Sequence, residues 1–224
     1  MLASRDDLMP FRAPATLCAC APTLDPLAFP STIVTAERDA EIVHQGEPAR
    51  FCYEVLSGCV RTVRLLEDGR RQIGAFMLPG DLLGWTGDGT HEFGAEAAVA
   101  SRLRRIRLDA VEERADRDRD FARALRAHAA GELRKAGDRI VQLGRKAAAE
   151  RIADFLLEME DRLPQDGEGV ALPMSRTDIA DYMGLTTETV CRTLTGLRRH
   201  NAIETMRASI RILDRGRLAP ERCN

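Results

Sequence analysis

The sequence predicts an α+β chain: an N-terminal β jelly roll, a long helix suited to dimerisation, and a C-terminal winged helix-turn-helix. Three observations carry this. Short β-rich runs punctuated by glycine fill residues 32–107, an apolar seam in steps of three and four runs from Phe121 to Leu143, and two short capped helices meet at a glycine within 175–200.

The third stretch is the most informative. Ser175 followed by Asp178 resembles a capping box, with Asp in place of Glu or Gln. The hydroxyl can accept from a free backbone N–H, and the carboxylate sits at the positive end of the helix. A helix begun there buries Ile179, Ala180 and Met183, and Gly184 stops it by taking a left-handed conformation. Leu185 pins the turn and Thr186 can cap a second helix, whose apolar stripe is Val190, Leu194 and Leu197. Its other face presents Thr187, Glu188, Cys191, Arg192 and Thr195. Two short helices joined by a tight turn, the second with a polar outer face, describe a DNA-reading helix-turn-helix.

Length and composition are compatible with this. At 224 residues the chain can hold two modest domains, and 44% hydrophobic with 30% charged residues suits a globular protein. No stretch reaches the apolar length of a membrane span, and residues 1–12 lack the apolar core of a secretory signal, so no membrane partner and a cytoplasmic location are expected. The net charge is −2, but residues 175–217 hold eight Arg against five Asp or Glu, a local balance of +3 that suits a DNA-contacting face. The six cysteines form no Cys-x-x-Cys pair, which argues against a disulfide framework. No paired carboxylates, Ser-His-Asp set or metal cluster marks an enzyme.

In chain order, residues 1–30 hold five of the ten prolines and read as an irregular arm. Its Cys18-Ala-Cys20 is either a metal or redox element or a pair of ordinary thiols. The β domain spans 31–112, with candidate strands at Ile33–Thr35, Ile42–His44, Cys52–Leu56, Val60–Leu66, Gln72–Met77, Ala95–Val99 and Leu103–Arg107. Gly46, Gly58, Gly69 and Gly80 recur about every dozen residues, as the turns of a small antiparallel barrel would. Glu67-Asp68-Gly69-Arg70 is a hairpin turn. The dimerisation helix is placed at 113–146, with Phe121, Leu125, Leu133, Ala136, Ile140 and Leu143 as its seam; such a narrow seam packs against a copy of itself or lies on its own barrel. The DNA-binding domain occupies 147–224. It opens with an amphipathic helix over Ala147–Leu163 and closes with strands Ala202–Glu204 and Ser209–Leu213, joined by Met206-Arg207-Ala208 as a wing.

The order of these parts resembles the CRP/FNR family of bacterial transcription regulators over residues 32–213. The resemblance rests on Val55-Leu56-Ser57-Gly58-Cys59-Val60-Arg61, Glu67-Asp68-Gly69-Arg70-Arg71-Gln72-Ile73, Pro79-Gly80-Asp81-Leu82-Leu83-Gly84, Ala149-Glu150-Arg151-Ile152-Ala153-Asp154-Phe155 and the run from Asp178 to Arg192. Glu188-Thr189-Val190-Cys191-Arg192 and the Asp68 to Gln72 turn look most like the FixK branch. The resemblance implies a cyclic-nucleotide-binding-like β domain, a homodimer, an inverted-repeat operator with TTGA-type half-sites, and activation through RNA polymerase. The exposed loops expected to meet the polymerase hold Gly69, Arg70, Arg71, Gly80 and Asp81.

Arg192 is the first candidate for base reading, because its planar fork matches guanine O6 and N7; Glu188, one turn earlier, can accept from cytosine N4 or adenine N6. The other possibility for that pair is a surface ion bridge. Thr187 and Cys191 complete the base-reading face. Ser175, Thr186, Thr195, Arg198, Arg199, Arg207 and Ser209 are candidate phosphate contacts.

No cofactor is expected. Cyclic-nucleotide members hold the ligand phosphate with an Arg after the Gly-Asp-Leu turn, whereas Gln72–Ser101 contains no Lys or Arg and does contain Asp81, Asp88, Glu92 and Glu96. Cys18 and Cys20 do not reproduce the spacing of iron–sulfur members, and Cys52 and Cys59 sit in strands. His44 and His91, the candidate haem ligands, fall at loop edges. An effector-dependent regulator sensing a small ligand, haem or an iron–sulfur cluster is the alternative reading. Cys191 lies between two base readers near a helix N-terminus, a setting that favours thiolate and oxidation, so redox control there competes with a small inert side chain.

Overall fold

The computed structural model describes residues 29–86, 89–164, 169–206 and 209–218. Eight strands come first: β1 (Ser31–Ala36), β2 (Glu41–Val43), β3 (Phe51–Ser57), β4 (Val60–Leu65), β5 (Arg71–Met77), β6 (Leu82–Leu83), β7 (Gly94–Ala97) and β8 (Ser101–Arg107). They form two antiparallel four-stranded sheets, ordered β1-β8-β3-β6 and β2-β7-β4-β5. Alternation explains the first half of β8, where Ser101 and Leu103 are buried and Arg102 faces water; Ile106, on the other face, is buried against Leu108, Val111 and Phe121. Arg104 meets Glu54 directly across the β3–β8 ladder at 2.5 Å. The seven expected strands are present. The two-residue β6 follows the Pro79-Gly80 turn and is too short to leave a period in the sequence.

The helical region departs from the expected single rod. Helix α1 (Leu108–Arg117) ends at Asp118, which adopts an extended conformation and caps α2 (Arg119–Arg145) by accepting from the backbone N–H groups of Asp120 and Phe121. The seam on α2 also divides. Phe121 and Leu125 are buried against Phe29, Leu108 and Val111 of their own chain, whereas Leu133 and Ile140 stand 74% and 73% exposed. Ala136 is exposed, and Leu143 is half-buried beside the turn at Gly184. Thus the first two turns belong to the intrachain core, correcting the assignment of Phe121 and Leu125 to a subunit seam. The apolar residues left facing solvent begin further along α2.

The remainder is α3 (Ala148–Arg162), β9 (Val170–Ala171), α4 (Arg176–Met183), α5 (Thr187–Arg199), β10 (Ile203–Thr205), β11 (Ser209–Ile212) and α6 (Arg215–Leu218), with β10-β11-β9 forming a small antiparallel sheet. β9 and β11 pair through Val170 and Ile210, so the run leading into the helix-turn-helix becomes the third strand of the wing. One apolar cluster joins the barrel face (Ile73, Phe76, Leu78) to α3, α4 and α5 (Phe155, Met159, Tyr182, Leu194). Phe76, Phe155 and Tyr182 pack ring to ring with centroids 5.0–6.1 Å apart, which makes barrel and helix-turn-helix share a core. Among the described residues no helix is long and apolar enough to cross a membrane.

Candidate nucleic-acid interface

The local chemistry of α4 and α5 follows from their sequence. Ser175 Oγ accepts from the Asp178 N–H at 3.0 Å while Asp178 Oδ2 accepts from the Ser175 N–H at 3.0 Å and its hydroxyl at 2.7 Å, closing the capping box. Gly184 sits at φ +62°, ψ +41°, the left-handed stop of α4. Thr186 Oγ1 accepts from the Thr189 N–H at 3.2 Å and starts α5. Val190 and Leu194 are buried beneath α5, which forces the opposite face outward.

That outer face carries the base-reading set. Thr187, Glu188, Cys191 and Arg192 are all exposed, with the Glu188 and Arg192 side chains 84% and 70% open. Arg192 Nη1 lies 3.3 Å from Glu188 Oε1, so the surface ion bridge is present. At that exposure the bridge contributes under about 1 kcal/mol, little enough for a base edge to displace it. Among the backbone candidates, Arg198 and Arg199 are exposed on the last turn of α5. Ser175 and Thr186 face the two helix starts, but both hydroxyls already serve as caps. Thr195 is half-buried and donates its hydroxyl hydrogen to the Cys191 carbonyl at 2.9 Å, so it is already engaged within α5. Ser209 is half-buried in β11, and Arg207 lies outside the described residues.

Arg176, at the first position of α4, was not singled out by sequence reasoning. Its Nη1 is buried without a hydrogen-bond partner, and burial lowers its pKa while the thiol of Cys191 opposes that shift. Its position one residue past an N-cap was the only available signal.

The hairpin tip is where the sequence puts it, but the Gly80-Asp81 loop differs from expectation. Gly69 and Arg70 form an exposed tip, with Arg70 Nε donating to Asp68 Oδ2 at 2.7 Å. Asp81 is not a free surface carboxylate: it accepts from the Leu78 N–H at 2.7 Å and pairs with Arg162 of α3, leaving its side chain 16% exposed. Neighbouring Gly80 supplies the positive-φ turn, at φ +93°, that allows this. The Gly80-Asp81 loop therefore ties the barrel to α3.

A cavity of about 630 Å³ lies between the second sheet, the loop after β6 and α2. Met77, Leu83, Trp85, His91 and Phe93 line one side, and His128 with Glu132 the other. No Lys or Arg is among its described lining residues, so a cyclic phosphate would meet no counter-charge there. His91 lies in the loop before β7 but is buried there, and burial lowers the pKa of both His91 and His128. His128 was missed because α2 turns this residue onto its own barrel. His44 is exposed beside Glu41 at 2.9 Å. Of the acidic residues, Glu96 is bound by Arg61 at 2.7 Å and Asp81 by Arg162, while Asp88 lies outside the described residues.

Cys52 and Cys59 are fully buried, and desolvation pushes both thiols up to about 12. Neither is disposed to ligate or react. Among the described residues no group of three or more His, Cys, Asp or Glu side chains is placed to hold a metal ion. Cys18 and Cys20 lie outside those residues.

Comparison with known proteins agrees with this architecture. Residues 33–118 match the cyclic nucleotide-binding domain model and residues 150–220 the Crp-like helix-turn-helix domain model. The chain is 41% identical to the nitrogen fixation regulation protein FixK of Azorhizobium caulinodans over 209 residues, covering 88% of this chain and 84% of that protein. It is 31% identical to the transcriptional activator protein Anr of Pseudomonas protegens over 212 residues, covering 86% and 87%. The solved structure of FixK2 from Bradyrhizobium japonicum superposes with a TM-score of 0.81 at 46% identity, covering 84% of this chain and 96% of that one.

Proposed function

The chain belongs to the CRP/FNR family of DNA-binding transcription regulators, in its FixK-like branch, and from that premise we propose that it acts as a homodimeric activator on an inverted repeat with TTGA-type half-sites. The observation that carries this is the outer face of α5, where Glu188 and Arg192 stand exposed above a buried Val190–Leu194 stripe. Arg192 reads guanine, Glu188 accepts from cytosine or adenine, and Thr187 and Cys191 complete the face. Arg198, Arg199, Arg207 and Ser209 contact phosphates and set orientation. Leu133 and Ile140, exposed one heptad apart on α2, supply the seam for a second copy. Half-site centres then lie about 34 Å apart on one DNA face. The exposed tip at Gly69 and Arg70 is the surface assigned to RNA polymerase.

The test measures binding to a TTGA inverted repeat and to one with the guanine replaced, for wild type and Arg192→Ala. Wild type discriminates between the two, and Arg192→Ala binds both alike. Unchanged discrimination in the variant would sink this assignment of the reading helix.

Cys191 gives the reading a regulatory arm, supported by an exposed thiol on the reading face while Cys52 and Cys59 are buried. Peroxide transfers oxygen to the thiolate in successive steps, each releasing water, and the resulting sulfinate sets negative charge against DNA phosphate. Peroxide treatment abolishes operator binding by wild type and spares Cys191→Ser; retained affinity in treated wild type defeats it. The cavity favours, as a second reading, an uncharged effector, which would raise the melting temperature on binding.

A further inference from the structure

Helix α4 is only eight residues long, yet both of its ends are held by side chains from other parts of the molecule. At its N-terminal end, Asp178 Oδ1 accepts from Arg61 Nη1 of β4 at 3.1 Å and from Arg71 Nη2 of β5 at 3.0 Å. Arg61 cannot follow α4 if it moves, because its guanidinium also donates to Glu96 at 2.7 Å and Asp39 at 2.8 Å. Arg71 Nε reaches Asp181 Oδ2 at 2.9 Å. At the C-terminal end, where α4 has no basic residue of its own, three consecutive carbonyls receive donors from three elements. Gln72 of β5 donates to the Asp181 carbonyl at 2.6 Å, Arg139 of α2 donates to that of Tyr182, and Arg151 of α3 donates to that of Met183 at 3.0 Å. The Arg139 guanidinium also lies over the Tyr182 ring, 3.5 Å from its centroid.

Beside the shared apolar core, a set of directional hydrogen bonds, most of them charge-assisted, holds in one arrangement only, since a displacement of an ångström or two breaks several at once. The helix that carries the reading helix is therefore registered to both barrel and α2.

We propose that Arg71 and Asp181, with Asp178 and Arg61, are positioning residues that set the distance between the two reading helices of the dimer and so select half-site spacing. This rests on the homodimer reading above, in which α2 supplies the twofold axis. One added base pair moves a half-site by about 3.4 Å along the DNA and turns it by about a tenth of a circle. With the cluster intact, the protein rejects that operator. With it broken, the helix-turn-helix swings on its apolar core and follows.

The experiment uses the full chain and three DNA duplexes with identical TTGA half-sites, at the spacing wild type binds tightest and at one base pair more and fewer. The variants are Arg71→Gln and Asp181→Asn, whose side chains are 26% and 25% exposed and do not touch the reading face. Wild type prefers the best spacing by about 100-fold, as for other single defects in a site, and the variants by less than about 10-fold. Their affinity for the best spacing stays within about three-fold, and their preference for TTGA over a substituted half-site is unchanged. Folded variants that keep the wild-type spacing preference overturn the proposal. So do variants that weaken equally on all three duplexes, which is what a purely structural role gives. If Arg71→Gln does not fold, Asp181→Asn decides alone. Failure of wild type to bind any of the three refutes the homodimer reading instead.

Discussion

Replacing Asp178 by Asn tests whether the box that starts α4 is also a folding element of the whole chain. Asp178 is 2% exposed and accepts from the Ser175 N–H and hydroxyl and from Arg61 and Arg71. Asn keeps the size, removes the charge and turns one acceptor into a donor. Whichever way it is flipped, its NH₂ meets either the Ser175 donors or the arginines. Losing one partner of a buried charge pair costs about 3–5 kcal/mol. Here the lower end applies, because Arg61 keeps Glu96 and Asp39, and Arg71 keeps Asp181, so no guanidinium is left alone. About 3 kcal/mol is a large share of an ordinary domain's 5–15 kcal/mol. The assay is urea unfolding of both proteins from pH 7 down to pH 3. Burial alone would raise the Asp178 carboxyl, but the Ser175 hydrogen bonds and the Arg61 and Arg71 charges outweigh it and hold the pKa below its ordinary value. A depressed carboxylate stabilises the fold fully above its unfolded pKa of about 3.9, and that stability is lost as pH falls through the lower folded value. The gap between wild type and Asp178→Asn is therefore level near neutrality and narrows only below about pH 4. A gap under about 1 kcal/mol at pH 7, the size expected of an exposed pair, refutes the reasoning. So does a gap that persists unchanged at pH 3.

Gly184→Ala lowers stability by about 1–2 kcal/mol, the left-handed backbone cost alone, because a Cβ there meets nothing closer than Leu143 at 3.6 Å. Gly58→Ala is far more damaging in the same denaturation assay, since its Cβ would lie 2.6 Å from the Ala100 carbonyl at φ +89°. In mass-mapped iodoacetamide labelling of the native protein at pH 8, Cys191 reacts while Cys52 and Cys59 do not, because both buried thiols ionise only near pH 12. Leu133→Asp with Ile140→Asp shifts sedimentation from dimer to monomer, whereas Phe121→Ala lowers the unfolding midpoint.

The sequence by itself determined whatever depends on neighbours within about four residues. The Ser175–Asp178 box, the Gly184 stop, the Thr186 cap and the Val190–Leu194 stripe are local, so the two helices and the outward face of Glu188 and Arg192 were legible before any tertiary contact was known. The long strands and the Gly69 tip were legible for the same reason: alternation and turn chemistry act over a few residues. Three things were decided only by the tertiary structure. The seam on α2 reads as one stripe from Phe121 to Leu143, because periodicity records which residues must be covered and not what covers them. The barrel takes Phe121 and Leu125, and Leu133 and Ile140 are left over. Asp81 and Arg71 read as exposed loop charges because their partners, Arg162 and Asp178, lie 81 and 107 residues away. Asp178 is the clearest case. Sequence gave it one role, as the third residue of a capping box, through bonds spanning three residues. Folding added Arg61 and Arg71 from the barrel, a pairing that no local pattern can announce because it arises only when a sheet edge and a helix end are packed on one core.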